Sequence, residues 1–186
     1  MNQKNKLRIS YSLLNLWEHG RREDAMKLYL HVEDKEPTEA MKRGMMFDRM
    51  VKEIVMKESR LPDELGGIPL TGDVIANQKI ITPFADFDLS AELDIRAGND
   101  IIEIKCSEIM DSSDYANTLQ VPFYLFTAEL AGQPATRGMV YRYNPAKHNY
   151  DVSILYWNDR VRNEVDTIIT KYGFEIEQAF QKEGIL

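Results

Sequence analysis

Helical spacing of apolar positions opens the chain. Leu13, Leu14 and Trp17 share one face of a first helix, which Ser10 or Ser12 can cap and which runs to about His19. Met26, Leu28, Tyr29 and Leu30 mark a second helical stretch, and Pro37-Thr38 opens a long helix from about Glu39 to Ser59. Leu61 to Gly72 carries two prolines and three glycines and reads as a loop. Beyond it the pattern alternates. Lys79 to Phe84 is a predicted strand. From Asp88 to Ala97, Leu89, Ala91, Leu93 and Ile95 face one way and Ser90, Glu92, Asp94 and Arg96 the other. Gly98-Asn99-Asp100 forms a hairpin turn, and Ile101 to Cys106 is the return strand. A helix is predicted over Asp114–Ala131, ended by Gly132 and Pro134. Two strands follow, Arg137–Tyr143 and Tyr150–Trp157, joined through Asn144-Pro145. Asn158 or Asp159 then caps an amphipathic helix to about Lys182. This order predicts a mixed α/β core with a helical front end. No linker composition divides it, so residues 1–186 are expected to form one domain, with its core at about 38–157.

Composition narrows the chemistry. Of 186 residues, 44% are hydrophobic and 28% charged, the balance of an ordinary globular protein. No apolar run reaches the roughly 18–20 residues of a membrane span, and no apolar signal core follows the basic start, so a cytoplasmic protein without membrane partners is expected. Cys106 is the sole cysteine, which excludes an intrachain disulfide and a four-cysteine zinc or iron–sulfur site. His19, His31 and His148 lack ligand spacing, so any metal should be a hard cation held by carboxylates. A net charge of −7 argues against nucleic-acid binding by bulk electrostatics. Local basic groups remain, among them Lys4, Lys6 and Arg8, Lys42 and Arg43, and Arg142. Arg142 with Tyr141, Tyr143 and Tyr150 is either an aromatic–basic surface for nucleic acid or strand packing.

The predicted hairpin carries the candidate chemistry. Glu103 and Lys105 lie two residues apart and project from one face of the return strand, while Ile102, Ile104 and Cys106 take the other. The turn sets the two strands side by side at roughly 5 Å, so Asp94 can meet Glu103 with Lys105 alongside. Two carboxylates, a main-chain carbonyl and waters make a partial shell for Mg²⁺, and an adjacent ammonium can orient water or stabilise charge on a phosphate. A Glu-x-Lys pair also occurs as a plain ion pair on a sheet. Here both charges sit in an isoleucine-rich strand, where burial costs several kcal/mol unless they are paired or bind an ion.

Leu93-Asp94-Ile95 followed by Ile102-Glu103-Ile104-Lys105 resembles the signature of the PD-(D/E)XK nucleases, with Leu93 in place of the proline. The RecB-like branch, which includes phage exonucleases, adds Gln-x-x-x-Tyr on the next helix, and this chain has Gln120-Val121-Pro122-Phe123-Tyr124. Residues four apart share a helix face, so Gln120 and Tyr124 can both look toward the site; packing explains Tyr124 alone equally well. The branch also carries Gly-x-x-x-His upstream. Here the match is Gly44-Met45-Met46-Phe47-Asp48, with aspartate in place of histidine. Asp48 is either a metal ligand or an acid paired with Arg43 or Lys52. Ile9-Ser10-Tyr11-Ser12-Leu13-Leu14 is similar to the branch's opening helix.

The resemblance implies an αβββαβ restriction-endonuclease-like core, with extra N-terminal helices and a C-terminal helix. It implies a metal-dependent DNA nuclease of exonuclease type, working in recombination, repair or phage DNA processing. Asp94, Glu103 and the Ile104 carbonyl would hold one or two Mg²⁺ ions, with Mn²⁺ as a substitute and Asp48 as an upstream ligand. Lys105 would position or activate water, and Gln120 and Tyr124 would orient substrate. Glu92 is an accessory candidate or a solvated acid. No iron–sulfur cluster is expected. DNA is the expected partner, with a helicase, a recombination protein or self-association helping so acidic a chain hold it. The rival readings are a non-catalytic nucleic-acid-binding or assembly module on the same fold and an RNA-directed phosphodiesterase.

Overall fold

A computed structural model describes residues 6–32 and 36–186; Lys4 lies outside them. Strand β1 (Arg8–Ser10) leads into helices α1 (Tyr11–Glu18), α2 (Arg22–Tyr29) and α3 (Glu39–Glu58). Strands β2 (Val74–Phe84), β3 (Phe87–Ala97) and β4 (Asp100–Cys106) follow, then α4 (Ser112–Ala116), α5 (Gln120–Leu130), β5 (Arg137–Asn144), β6 (Asn149–Tyr156) and α6 (Asp159–Lys182). The result is the expected mixed α/β architecture, a six-stranded mixed sheet flanked by helices.

Capping sets the helix starts. Ser10 accepts from the Leu13 N–H, Thr38 from Met41 and Asn158 from Val161, each satisfying a donor that the first helical turn leaves free. Two apolar clusters hold the layers together. One joins the sheet to α1, α5 and α6 through Leu14, Leu93, Phe123, Phe126, Ile169 and Phe180. The other joins Ile95, Ile102 and Ile104 to Val51 and Val55 of α3. Strand β4 is central, between β3 and β5, and Ile101, Ile102 and Ile104 are buried on its two sides.

Three expectations change. Strand β1 was not anticipated, because three residues are too few to show an alternation and their pairing partner is distant Asp88–Ser90. Strand β2 starts at Val74, earlier than Lys79, since polar Asn77 and Gln78 hide its beginning. The helix expected over Asp114–Ala131 is two helices. Asp111 caps the first in a capping box, and Thr118 bonds its hydroxyl to the Tyr115 carbonyl while accepting from the Gln120 N–H, so the backbone turns between them. Pro122 sits in the first turn of α5, where no intrahelical donor is lost.

The sheet is split where the site lies. β2 pairs with one edge of β3 along its length. The other edge is shared: β4 pairs with Ile95–Ala97 only, and β1 takes Asp88–Ser90. Between these two partners the β3 edge is left open near Asp94. Helix α5 settles close above the neighbouring strands because β5 has Gly138 there. A Cβ on Gly138 would meet Val121 Cγ1 at 2.1 Å.

Candidate active site

Hairpin arithmetic places the acids. Ile95 pairs with Ile102, so one step further along the same register Asp94 stands opposite Glu103. The ladder ends at that step, and the Ile104 N–H donates to Asp94 Oδ2 (2.9 Å) in place of a backbone carbonyl. A strand residue presents its N–H and C=O to the same edge, so the Ile104 carbonyl opens into the same gap. The Asp94 and Glu103 carboxyls meet within hydrogen-bonding reach across it.

Glu103 is only 4% exposed. Its Oε1 accepts from Lys105 Nζ (2.6 Å) and from Gln120 Nε2 (2.6 Å). No donor reaches its buried Oε2. Burial, reinforced by the Asp94 charge, pushes the Glu103 carboxyl up to about 8. Burial works against the Lys105 ammonium, but Glu103 outweighs it and holds the group above the usual lysine range, so Lys105 stays charged. Its ammonium lies 5.4 Å from the centre of the Tyr115 ring, a cation–π contact from α4.

Gln120 and Tyr124 share a helix face, as their spacing requires, and Gln120 Nε2 also donates to the Tyr124 hydroxyl (2.9 Å). Tyr124 is buried, and burial raises its pKa further above the usual tyrosine range. It braces Gln120 and forms part of the wall of the cavity over the site. On α3, Asp48 is paired with Lys52 (2.8 Å), one of the readings its sequence left open. Lys52 also reaches Asp94 Oδ1 (2.8 Å). Burial, with repulsion from Asp94, raises the Asp48 pKa despite Lys52. Asp48 Oδ1 is buried without a partner.

Lys52 and Tyr115 are the site residues that sequence reasoning missed as such. Lys52 stood only as a possible partner of Asp48; its i, i+4 spacing marks that pair, but not the reach to Asp94. Glu92 is exposed, opposite Lys79 on β2, and lines the rim of an open cavity of about 380 Å³ whose walls include Asp94, Glu103, Gln120 and Tyr124. Gly44, one turn before Asp48, has open space around it, so no packing contact there calls for glycine. The aromatic–basic group resolves mainly as packing. Arg142 is buried in an ion pair with Asp151, Tyr141 is buried, and Tyr143 stacks on Phe47.

No protein-family model and no curated protein matches this chain. Solved structures do. An alkaline exonuclease from Laribacter hongkongensis superposes with a TM-score of 0.54 at 16% identity, covering 95% of this chain and 93% of its own; it has also been crystallised with dAMP. A phage-related exonuclease from Haemophilus somnus gives 0.60 at 11% identity, covering 96% and 97%. A putative exonuclease from Eubacterium rectale gives 0.66 at 12% identity, covering 96% and 83%. The chain has the PD-(D/E)XK fold of phage-type exonucleases. In this exonuclease fold the opened edge of β3, the facing strand β4 and the start of α5 converge at one place, and Asp94, Glu103, Lys105 and Gln120 all stand there.

Among the described residues no three His, Cys, Asp or Glu side chains form a ready cluster for a metal ion. The site thus offers two converging acids, one of them with an unpartnered buried oxygen, beside a main-chain carbonyl. That donor set is all oxygen and suits a small hard cation that keeps several waters. No helix among the described residues is long and apolar enough to cross a membrane.

Proposed function

We propose that this protein is a metal-dependent DNA nuclease of exonuclease type, acting as a single domain. The observation that carries the reading is Glu103 Oε2, a buried carboxylate oxygen with no donor, facing Asp94 across the opened strand edge. Burying such a group ionised and unpaired costs several kcal/mol, which is why Glu103 holds its proton without metal, and a divalent cation is the partner that both acids can share once ionised. Asp94, Glu103 and the Ile104 carbonyl would hold Mg²⁺, or Mn²⁺ in its place. When bound, that ion supplies Lewis acidity toward a phosphoryl oxygen and toward water.

The chain's own residues do the rest. Gln120 and Lys105 both bind Glu103 Oε1, which leaves Oε2 directed into the gap. Tyr124 keeps Gln120 in that pose. Lys105, hydrogen-bonded to Glu103, orients or activates the attacking water or stabilises negative charge growing on the phosphate. DNA as substrate is supported by the dAMP complex of the Laribacter exonuclease. With a net charge of −7, productive contact with DNA would draw on a helicase, a recombination protein or a second copy of the chain.

The test is a matched assay of linear and circular, single- and double-stranded DNA, with RNA alongside. Each is incubated with Mg²⁺, Mn²⁺ or EDTA, using wild type and Lys105→Ala. Cleavage of linear DNA that needs the metal and the lysine is expected. Cleavage indifferent to EDTA and to the lysine change overturns the proposal, and cleavage of RNA alone moves the substrate to RNA.

A further inference from the structure

Lys52 is placed where a surface lysine would not be. Its side chain is 12% exposed, and its ammonium lies 2.8 Å from Asp48 Oδ2 and 2.8 Å from Asp94 Oδ1. The first contact is an ordinary i, i+4 pair along α3. The second crosses to a strand of the sheet, to the acid that also binds the Ile104 N–H. The neighbouring Val51 and Val55 are fully buried against β4, so the helix is anchored on both sides of the lysine.

We infer that Lys52 is the resident second cation of this site: its ammonium bridges Asp48 and Asp94 and limits the protein to one divalent ion, between Asp94 and Glu103. This rests on the metal-dependent reading above. Charge balance favours it. With all three acids ionised, as a bound metal requires, they and the two ammonium groups leave the cluster one negative charge in excess. One divalent cation turns that into one positive charge, which matches a phosphodiester's single negative charge. A second divalent ion would add two more positive charges beside two ammoniums a few ångströms away, unless Lys52 withdrew. Lys52 is also a built-in donor next to the gap, able to meet a phosphate oxygen. Asp48 is then a positioning residue that acts through Lys52 and does not touch the ion.

The test counts ions. Mn²⁺ bound at saturation is measured by electron paramagnetic resonance of the free ion, on wild type, Lys52→Ala, Lys52→Gln and the double variant Asp48→Asn/Lys52→Gln. Folding is checked by circular dichroism. One Mn²⁺ is expected in the wild type and two in either single variant, because Asp48, with its free Oδ1, and Asp94 then form a second acid pair. The double variant should return to one. Two ions in the wild type, or one in a folded Lys52→Gln protein, overturn the inference and leave the nuclease reading standing. No ion in the wild type overturns that reading itself. If neither single variant folds, anomalous scattering from Mn²⁺ in wild-type crystals decides. One peak between Asp94 and Glu103, with the Lys52 ammonium in place, supports the inference; a peak between Asp48 and Asp94 overturns it.

Discussion

Strand β4 carries two buried acids three residues apart, and they are treated in opposite ways. Asp100 stands at the closed end of the hairpin. Arg137 binds both of its oxygens, at 2.5 and 2.8 Å, so neither is without a donor. Glu103 stands where β3 and β4 part. One of its oxygens takes two donors and the other takes none. Both acids are buried, so burial alone does not separate a structural carboxylate from a chemical one. Whether each oxygen has a donor does. A fork of guanidinium hydrogen bonds closes Asp100 off, whereas the arrangement at Glu103 orients the group and keeps one oxygen in reserve.

Substitutions that break this contrast should differ most in activity. Asp94→Asn and Glu103→Gln are expected to lower the cleavage rate by about 10³–10⁴-fold, in single-turnover assays with Mg²⁺, while Asp100→Asn leaves the rate within about 2-fold. A comparable loss in all three would erase the distinction. Lys105→Ala should cost about 10²–10³-fold in the same assay, as expected for one donor aimed at developing charge. Gln120→Ala frees Glu103 to rotate, and a fall of about 10–100-fold in Mn²⁺ affinity by calorimetry is expected.

The smallest effect is on stability, and its sign follows from Glu103. With its folded pKa raised to about 8, the folded metal-free protein keeps a proton that the unfolded chain releases near the ordinary glutamate value. The stability from this group is present at pH 4 and is lost as pH rises toward 8. Metal-free thermal midpoints of wild type should therefore fall by a few degrees over that range relative to Glu103→Gln, and the stabilisation by added Mg²⁺ should grow with pH. Parallel pH profiles for the two proteins would place the cost of burial elsewhere. Asp100→Asn, by contrast, should lower the midpoint by a few degrees with no Mg²⁺ dependence.

Much of this was legible in the chain. Period-2 alternation in Phe87–Ala97, a turn at Gly98-Asn99 and a strand of isoleucines interrupted by Glu103 and Lys105 were enough to set Asp94 against Glu103, because hairpin register is counted outward from the turn. Helical spacing likewise put Gln120 and Tyr124 on one face. These are local rules, and local spacing decides them. What spacing does not contain is where a ladder stops. That β4 leaves β3 after Ile95, that β1 takes the edge further on, and that Lys52 of α3 reaches into the opening all depend on elements dozens of residues apart in sequence. The same limit hid the roles of Asp48 and Tyr124. Each has a periodicity that fits more than one partner, and only the packing of α3 and α5 on opposite faces of the split sheet selects which atoms meet.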